Sequence, residues 1–155
     1  MALEIGKSAP AFTLASDEGE ISLSDLKGQN VVLYFYPKDD TPGCTIEAQY
    51  FTKKVKEFEK KNCVILGISK DSVKSHCNFI EKYKLGFNLL ADVDGEVCKK
   101  YDVIKEKSMF GKKYMGIDRT TFLIDSFGKI SQIWNNVKVN GHVEEVLAAL
   151  NEIKK

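Results

Sequence analysis

The chain has 155 residues, of which 43% are hydrophobic and 29% charged, and its net charge at pH 7 is +1. This balance predicts a single domain over residues 1–155 with a sizeable core, and it excludes a highly charged nucleic-acid or membrane-surface binder. The sequence has no apolar run long enough for a signal peptide or a transmembrane helix, so we expect a cytoplasmic protein with neither nucleic-acid nor membrane partners.

The apolar pattern predicts strands and helices that alternate along the first half of the chain. Residues 12–14 and 21–23 flank a polar loop, which predicts an N-terminal hairpin. Residues 31–36 and 63–68 are apolar at almost every position, which is typical of strands buried on both faces. Apolar residues at spacings of three and four predict a helix between these strands, ending near residue 61.

The second half continues with short elements. An apolar stripe at Val73, Cys77 and Ile80 predicts a helix, and a short strand and a short helix follow it. Residues 120–124 and 130–134 predict a second hairpin, before a last helix that begins near Gly141. Residues 105–118 form the longest irregular stretch and are predicted to be a loop. The order of elements predicts an α/β fold with a central mixed sheet covered by helices on both faces.

Four cysteines, at positions 44, 63, 77 and 98, are too few for a secreted disulfide scaffold. No Cys-x-x-Cys pair occurs, so we expect no structural zinc site and no bound metal or cofactor.

Cys44 stands in "DDTPGCTIEAQYF" (39–51), directly after a buried strand and at the start of a helix. Thr41 suits the N-cap position and Pro42 the first helical position. The free amides and the positive end of the helix dipole favour an anion there, which predicts a reactive thiolate. Gly43 leaves room for a small ligand to approach the backbone. The alternative is a small buried hydrophobic residue, but the polar loop around Cys44 is not typical of a core.

Arg119 is the only arginine among 23 basic residues. Codon bias explains an excess of lysine, but a single arginine also indicates a position where a rigid, planar and permanently charged donor is required. Such a cation would stabilise the Cys44 thiolate if the fold brought the two together.

The spacing Pro37-x-x-x-Thr41-x-x-Cys44 resembles the peroxiredoxin active-site motif. The stretch "FYPKDDTPGCTIEA" (35–48) is similar to the PrxQ, or bacterioferritin-comigratory, branch, as are "GISKDSVKSH" (67–76) and "GIDRTTFLID" (116–125). The resemblance covers essentially the whole chain. It implies a thioredoxin-like fold and reduction of hydrogen peroxide or organic hydroperoxides, with thioredoxin or another thiol as reductant.

The resemblance also implies a role for each motif residue. Cys44 would attack the peroxide and become a sulfenic acid, while Thr41 and Arg119 would orient the peroxide and keep the sulfur anionic. Amides near Gly43 would stabilise the leaving oxygen, and Pro37 would shield the site from water. Glu47 would orient Arg119. The alternative for Glu47 is a solvated carboxylate in the first helical turn.

The sequence departs from many members of this branch at Gln49, where they carry a resolving cysteine. Cys77 is the candidate for that role, but its place on an apolar stripe predicts a buried core thiol. Some relatives carry the resolving thiol about one turn later, so we expect an external thiol to reduce Cys44. Cys63 and Cys98 are predicted to be structural.

The sequence offers two alternatives to a peroxidase, a Cys/His hydrolase and a non-catalytic redox protein. His76 and His142 look like helix-surface or helix-start residues and lie in no Cys/His hydrolase motif. A non-catalytic redox-sensing or interaction protein that uses Cys44 as a switch is the other alternative to a peroxidase.

For the oligomeric state, we expect a monomer or a weak homodimer.

Overall fold

The structure is a computed structural model that describes residues 3–153, and only the backbone at Met109. The first half of the described chain contains β1 (Thr13–Ser16), β2 (Gly19–Ser22), a short 3-10 helix (Leu23–Leu26), β3 (Asn30–Phe35), α1 (Pro42–Lys60) and β4 (Cys63–Ser69). The second half contains α2 (Val73–Tyr83), β5 (Asn88–Ala91), α3 (Glu96–Lys100), β6 (Ile104–Met109), β7 (Lys112–Ile117), β8 (Thr120–Ile124), β9 (Ile130–Trp134) and α4 (His142–Asn151).

Seven of these strands form one mixed sheet in the order β2-β1-β5-β4-β3-β8-β9. The central strands β3, β4 and β5 are parallel, because α1 and α2 carry the chain back between them. The outer strands pair antiparallel, β1 with β5 at one side and β8 with β3 at the other.

Apolar side chains fill both faces of the sheet, which explains the uninterrupted apolar run in β3. Val31, Leu33 and Phe35 pack on one face with α3 and the N-terminal segments. Val32 and Tyr34 point the other way, into a core shared with α1, α2 and α4. The predicted mixed sheet with helices on both faces and an N-terminal hairpin is therefore confirmed.

Helix α1 is held on the sheet by its apolar side. Phe51 and Phe58 are fully buried in that core. Burying a phenylalanine side chain contributes roughly 1.5–3 kcal/mol, so packing rather than helix propensity fixes this helix and the residues at its start.

The prediction of a loop at residues 105–118 is wrong, because most of this stretch forms the β6–β7 hairpin. Its two-residue turn is Phe110–Gly111, with φ values of 52° and 79°. Positive φ at both positions suits a type I′ turn, which usually contains Asn-Gly or Asp-Gly. The hairpin is exposed over most of its length, so its sequence lacks the apolar alternation that predicts a strand.

Within residues 3–153, no helix has both the length and the hydropathy needed to cross a membrane.

Candidate active site

Cys44 lies at the carboxyl end of the central strand β3, in the first turn of α1. Thr41 is the N-cap residue and Pro42 the first helical residue, as predicted. The first intrahelical bond runs from the Thr45 amide to the Thr41 carbonyl, so the amides of the two intervening non-proline residues precede the helical ladder. The Cys44 side chain is only 2% exposed. The sulfur therefore sits in a sheltered position where the helix start favours negative charge.

Sheet pairing brings Arg119 to this thiol. Strand β8 runs antiparallel to β3, with Thr120 opposite Phe35, so Arg119 lies beside the point where the chain leaves β3. Its Nη2 donates to the Cys44 sulfur at 3.4 Å across a sequence separation of 75 residues. The fold thus brings together the two residues whose proximity the family resemblance implied.

Glu47 holds the other side of the guanidinium. It lies one helical turn after Cys44, and its Oε1 accepts a hydrogen bond from Arg119 Nη1 at 2.6 Å. The Glu47 side chain is 1% exposed and that of Arg119 is 17% exposed. The alternative of a solvated carboxylate therefore does not apply.

Burial and the ion pair act in opposite directions on the Glu47 carboxyl. Burial raises the pKa of Glu47 to about 7, although Arg119 acts to lower it. For Arg119, burial acts to lower the pKa, but the negative charges of Glu47 and Cys44 outweigh it and raise the pKa above its ordinary value. Arg119 is thus a permanent cation. Because the pKa of Glu47 is about 7, the charge on Glu47, and with it the strength of the Arg119–Glu47 ion pair, changes near neutral pH.

Gly43 makes room for the guanidinium. A Cβ atom at this position would lie 3.2 Å from Arg119 Nη2, which is tighter than most Cβ contacts. The sequence suggested that this glycine admits a small ligand to the backbone, and the structure shows that Arg119 occupies the space beside it. The missing side chain allows the cation to pack across the start of α1.

Thr41 and Pro37 complete the loop between β3 and α1. The Thr41 hydroxyl donates to the Lys38 carbonyl at 2.9 Å and makes no side-chain cap bond. Thr41 is half-buried, whereas Pro37 is exposed at the start of the loop. The predicted shielding role of Pro37 stays a prediction.

The site combines a cysteine at a helix start with an arginine and a buried carboxylate. Comparison of the sequence and the structure with known proteins gives matches over most of the chain. Residues 5–133 match the model of the AhpC/TSA family. The chain belongs to the AhpC/TSA family. It is a peroxiredoxin of the PrxQ/Bcp branch, as the sequence motifs predicted.

Three similar proteins illustrate this relationship. A putative peroxiredoxin bcp from Coxiella burnetii is 58% identical over 97% of this chain and 100% of its own length. The structure of PrxQ from Xylella fastidiosa is 42% identical, covers 97% of both chains and has a TM-score of 0.92. The bacterioferritin comigratory protein of Xanthomonas campestris, whose structures concern alkyl peroxide reduction, is 45% identical over 96% of both chains with a TM-score of 0.88. The thioredoxin-like fold is thereby confirmed.

The other cysteines of this peroxiredoxin occupy different environments. Cys63 and Cys98 are buried, at 3% and 0% exposure. Burial raises the pKa of the Cys63 thiol to about 12, and burial together with Asp92 raises that of Cys98 further. Both thiols stay protonated at neutral pH, which agrees with a structural role.

The prediction that Cys77 is a buried core thiol is wrong, because Cys77 is exposed on α2. His76 and Phe79 form the buried side of that helix instead. Val73 and Ile80 are only half-buried, so the predicted stripe lies at the edge of the packed face.

Of the two histidines, expected at a helix surface or a helix start, His142 does begin a helix, whereas a surface position for His76 is wrong. His76 is fully buried, and His142, the first residue of α4, is 2% exposed. Burial, with a contribution from Arg119, lowers the pKa of His142 to about 4, so it is neutral at pH 7. Its Nε2 shares a hydrogen bond with the Thr121 hydroxyl at 2.8 Å. The sequence carried no clear indication of either environment.

We predict that Gly43→Ala lowers peroxide turnover about tenfold or more, because the added methyl group displaces the guanidinium from the sulfur. The free energy of unfolding should stay the same or rise, since alanine is the better helix former. Gly86→Ala is a matched control, because its Cβ would lie 3.3 Å from Val55 Cγ1, outside the site. Equal peroxide turnover in Gly43→Ala and Gly86→Ala would contradict this prediction, because it would mean that a methyl group beside Arg119 does not impair the reaction.

We predict that Glu47 makes stability depend on pH. Its folded-state pKa of about 7 exceeds the value of 4.5 for a free glutamate, so its contribution is fully present below 4.5 and is lost as the pH rises through 7. Compared with Glu47→Gln, the wild type should lose about 2–3 kcal/mol of unfolding free energy between pH 5 and pH 8. Urea unfolding at the two pH values measures this difference.

The exposed Glu59 provides the control, because Glu59→Gln should follow the wild type at both pH values. A constant difference between wild type and Glu47→Gln would contradict the raised pKa of the buried carboxyl.

Proposed function

We propose that this peroxiredoxin reduces hydrogen peroxide and organic hydroperoxides with Cys44 as the nucleophile. The contact of 3.4 Å between Arg119 Nη2 and the Cys44 sulfur supports this proposal most directly. It supplies a fixed cation next to a nucleophile that already lies at a helix start. The alkyl peroxide reduction of the Xanthomonas campestris relative supports organic hydroperoxides as substrates.

In the proposed reaction, the Cys44 thiolate attacks the terminal oxygen of the hydroperoxide. A sulfur–oxygen bond forms as the oxygen–oxygen bond breaks, and the sulfur is oxidised by two electrons to a sulfenic acid. The leaving oxygen takes up a proton and departs as water or an alcohol. Arg119 stabilises the negative charge that passes from sulfur to this oxygen, and a fixed donor requires little rearrangement during the step.

The remaining site residues have supporting roles in this proposal. Glu47 holds the guanidinium in its plane, and Gly43 keeps the space that it occupies. The amides at the start of α1 can donate to the peroxide oxygens, and the Thr41 hydroxyl can help to align the oxygen–oxygen bond. Pro37 limits access of water to the loop.

Regeneration requires two further thiols. The first condenses with the sulfenic acid to give a mixed disulfide and water, and the second releases Cys44 as a thiol. We propose that both come from an external reductant, thioredoxin or another thiol. Gln49 cannot react, and Cys77 faces solvent while Cys44 is buried. A direct bond would require Cα atoms within roughly 7 Å, and therefore local opening of the helices.

The alternative of a non-catalytic redox sensor is not favoured, because the relatives that match the whole chain are peroxiredoxins. A cytoplasmic location stays a prediction, and the four free cysteines are consistent with a reducing compartment. A monomer or weak homodimer also stays a prediction.

Cys44→Ser should remove peroxide consumption to below a few per cent of wild type, as measured with dithiothreitol as the reductant. A serine hydroxyl stays protonated next to Arg119, so the nucleophile is lost while the fold is kept. Circular dichroism checks the fold. Turnover near the wild-type rate would refute the assignment of Cys44.

Arg119→Lys should slow peroxide reduction by a factor on the order of ten to a thousand. Lysine keeps the charge, but it cannot reach the sulfur and Glu47 at the same time with a planar fork. Lys112→Arg, the opposite exchange on the exposed β6–β7 hairpin, should have no effect. Wild-type rates for Arg119→Lys would mean that charge alone is sufficient.

Cys77→Ser should keep most of the activity with a small external thiol, because Cys44 does not depend on Cys77 for reduction. Peptide mapping after one equivalent of peroxide should find oxidised Cys44 and little Cys44–Cys77 disulfide. A stoichiometric disulfide between these residues, lost in Cys77→Ser together with thioredoxin-dependent turnover, would establish a two-cysteine mechanism instead.

A further inference from the structure

A second buried polar cluster lies beside the active site, centred on Asp39. The Asp39 carboxylate accepts hydrogen bonds from the Tyr36 hydroxyl at 2.5 Å and from the Ser75 hydroxyl at 2.7 Å. Its Oδ2 also lies 2.7 Å from His76 Nδ1. Asp39 is 7% exposed and His76 is fully buried. None of these contacts involves Cys44, so the proposed chemistry leaves the cluster without a role.

The partners of His76 determine where its protons are. Nε2 lies 2.9 Å from the carbonyl oxygen of Leu90, which can only accept, so Nε2 carries a hydrogen. Nδ1 lies 2.7 Å from Asp39 Oδ2 and 3.4 Å from the Tyr36 hydroxyl, whose hydrogen is donated to Asp39 Oδ1. The short contact between Nδ1 and Asp39 therefore requires one shared proton. With that proton present, the buried pair is neutral as a whole and each of its polar atoms in these contacts has a partner.

This cluster fixes the loop that leads to Cys44. Asp39 lies in the middle of the loop from β3 to α1, two residues before the N-cap Thr41. Its backbone amide donates to Asp71 at 2.8 Å, so both its backbone and its side chain are tied to the segment that begins α2. The next residue, Asp40, has a φ of 55° and binds Lys82 and Tyr83 at the far end of α2. The loop is therefore held against α2 by hydrogen bonds near both ends of that helix.

The buried and the exposed ion pairs that hold this loop against α2 differ in strength. The Asp40–Lys82 pair is solvent-exposed, with side-chain exposures of 40% and 59%, and such pairs contribute little. The His76–Asp39 contact is sheltered from water, where a charge-assisted hydrogen bond is strong and directional. Of the two, the buried contact is the one that can hold the loop in a single conformation.

We propose that His76 is a positioning residue for peroxide reduction. Its hydrogen bond to Asp39 holds the loop 37–41 against α2 and so sets the Thr41 hydroxyl and the first turn of α1 relative to peroxide. His76 does not touch the reacting atoms and acts through Asp39. The inference rests on the proposed function of Cys44.

Two substitutions at His76 separate its two hydrogen bonds. The amide nitrogen of asparagine can take the place of Nδ1 and keep the bond to Asp39, whereas that of glutamine can take the place of Nε2 and keep the bond to Leu90. We expect His76→Asn to stay within about threefold of the wild-type kcat/KM for peroxide, and His76→Gln to lose about ten- to a hundredfold. Helix propensity favours glutamine, so a purely structural role predicts the opposite order.

The kinetics are measured with dithiothreitol at a temperature at which circular dichroism shows each variant to be folded. Equal kcat/KM values for the two variants, or a higher value for His76→Gln, would overturn the proposal. If His76→Gln does not fold, Ser75→Ala serves instead, because it removes another hydrogen bond to Oδ2 of Asp39 from the same helix. We expect it to lower kcat/KM about two- to fivefold, and no decrease would overturn the proposal.

Asn78→Ala, an exposed change on the same helix, is the control and should leave kcat/KM unchanged. A failure of the proposed function looks different, since wild-type protein would then not consume peroxide or Cys44→Ser would remain active.

Discussion

Arg119 places one nitrogen against the Cys44 sulfur and the other against Glu47, so a single planar cation contacts the proposed nucleophile and a buried carboxylate together. Most of the surrounding structure is required to make this arrangement possible. The β3–β8 pairing delivers the arginine, and the packed face of α1 fixes Cys44 and Glu47 one turn apart. Gly43 leaves the space in which the guanidinium lies. A flexible cation could neutralise the sulfur, but it could not hold both partners in one plane.

The energetic cost of this arrangement appears at Glu47. Burial disfavours its charge more than Arg119 favours it, which is why its pKa rises to about 7. A carboxylate kept at such a cost is understandable at a functional site, where geometry matters more than stability. The aromatic core beneath α1, including Phe51 and Tyr34 stacked at 4.8 Å, supplies the packing energy that offsets it.

The four cysteines show that residue type alone does not define the environment of a thiol. Cys44 lies at a helix start beside a cation, whereas burial holds the thiols of Cys63 and Cys98 protonated, with Asp92 adding to the effect at Cys98. Cys77 faces solvent on α2. On the same helix, the buried His76 faces the loop that precedes Cys44, so α2 contacts that loop through a residue that no sequence motif indicated.

The amino-acid sequence by itself determined the local features of this protein. These features are the spacing of Pro37, Thr41 and Cys44, the helix start, and the apolar runs that form the central strands. Each can be recognised from residues that lie near one another in the chain. Only the tertiary structure decided which face of α2 is buried, because the stripes at 73/77/80 and 76/79 lie about one helical step of 100° apart and are both compatible with a helix. The sequence did not predict the exposed β6–β7 hairpin, because a hairpin without a buried face does not require apolar and polar residues to alternate. The contacts of Arg119 with Cys44 and of His76 with Asp39 join positions 75 and 37 residues apart, and sheet order and helix packing, rather than local preference, bring such positions together.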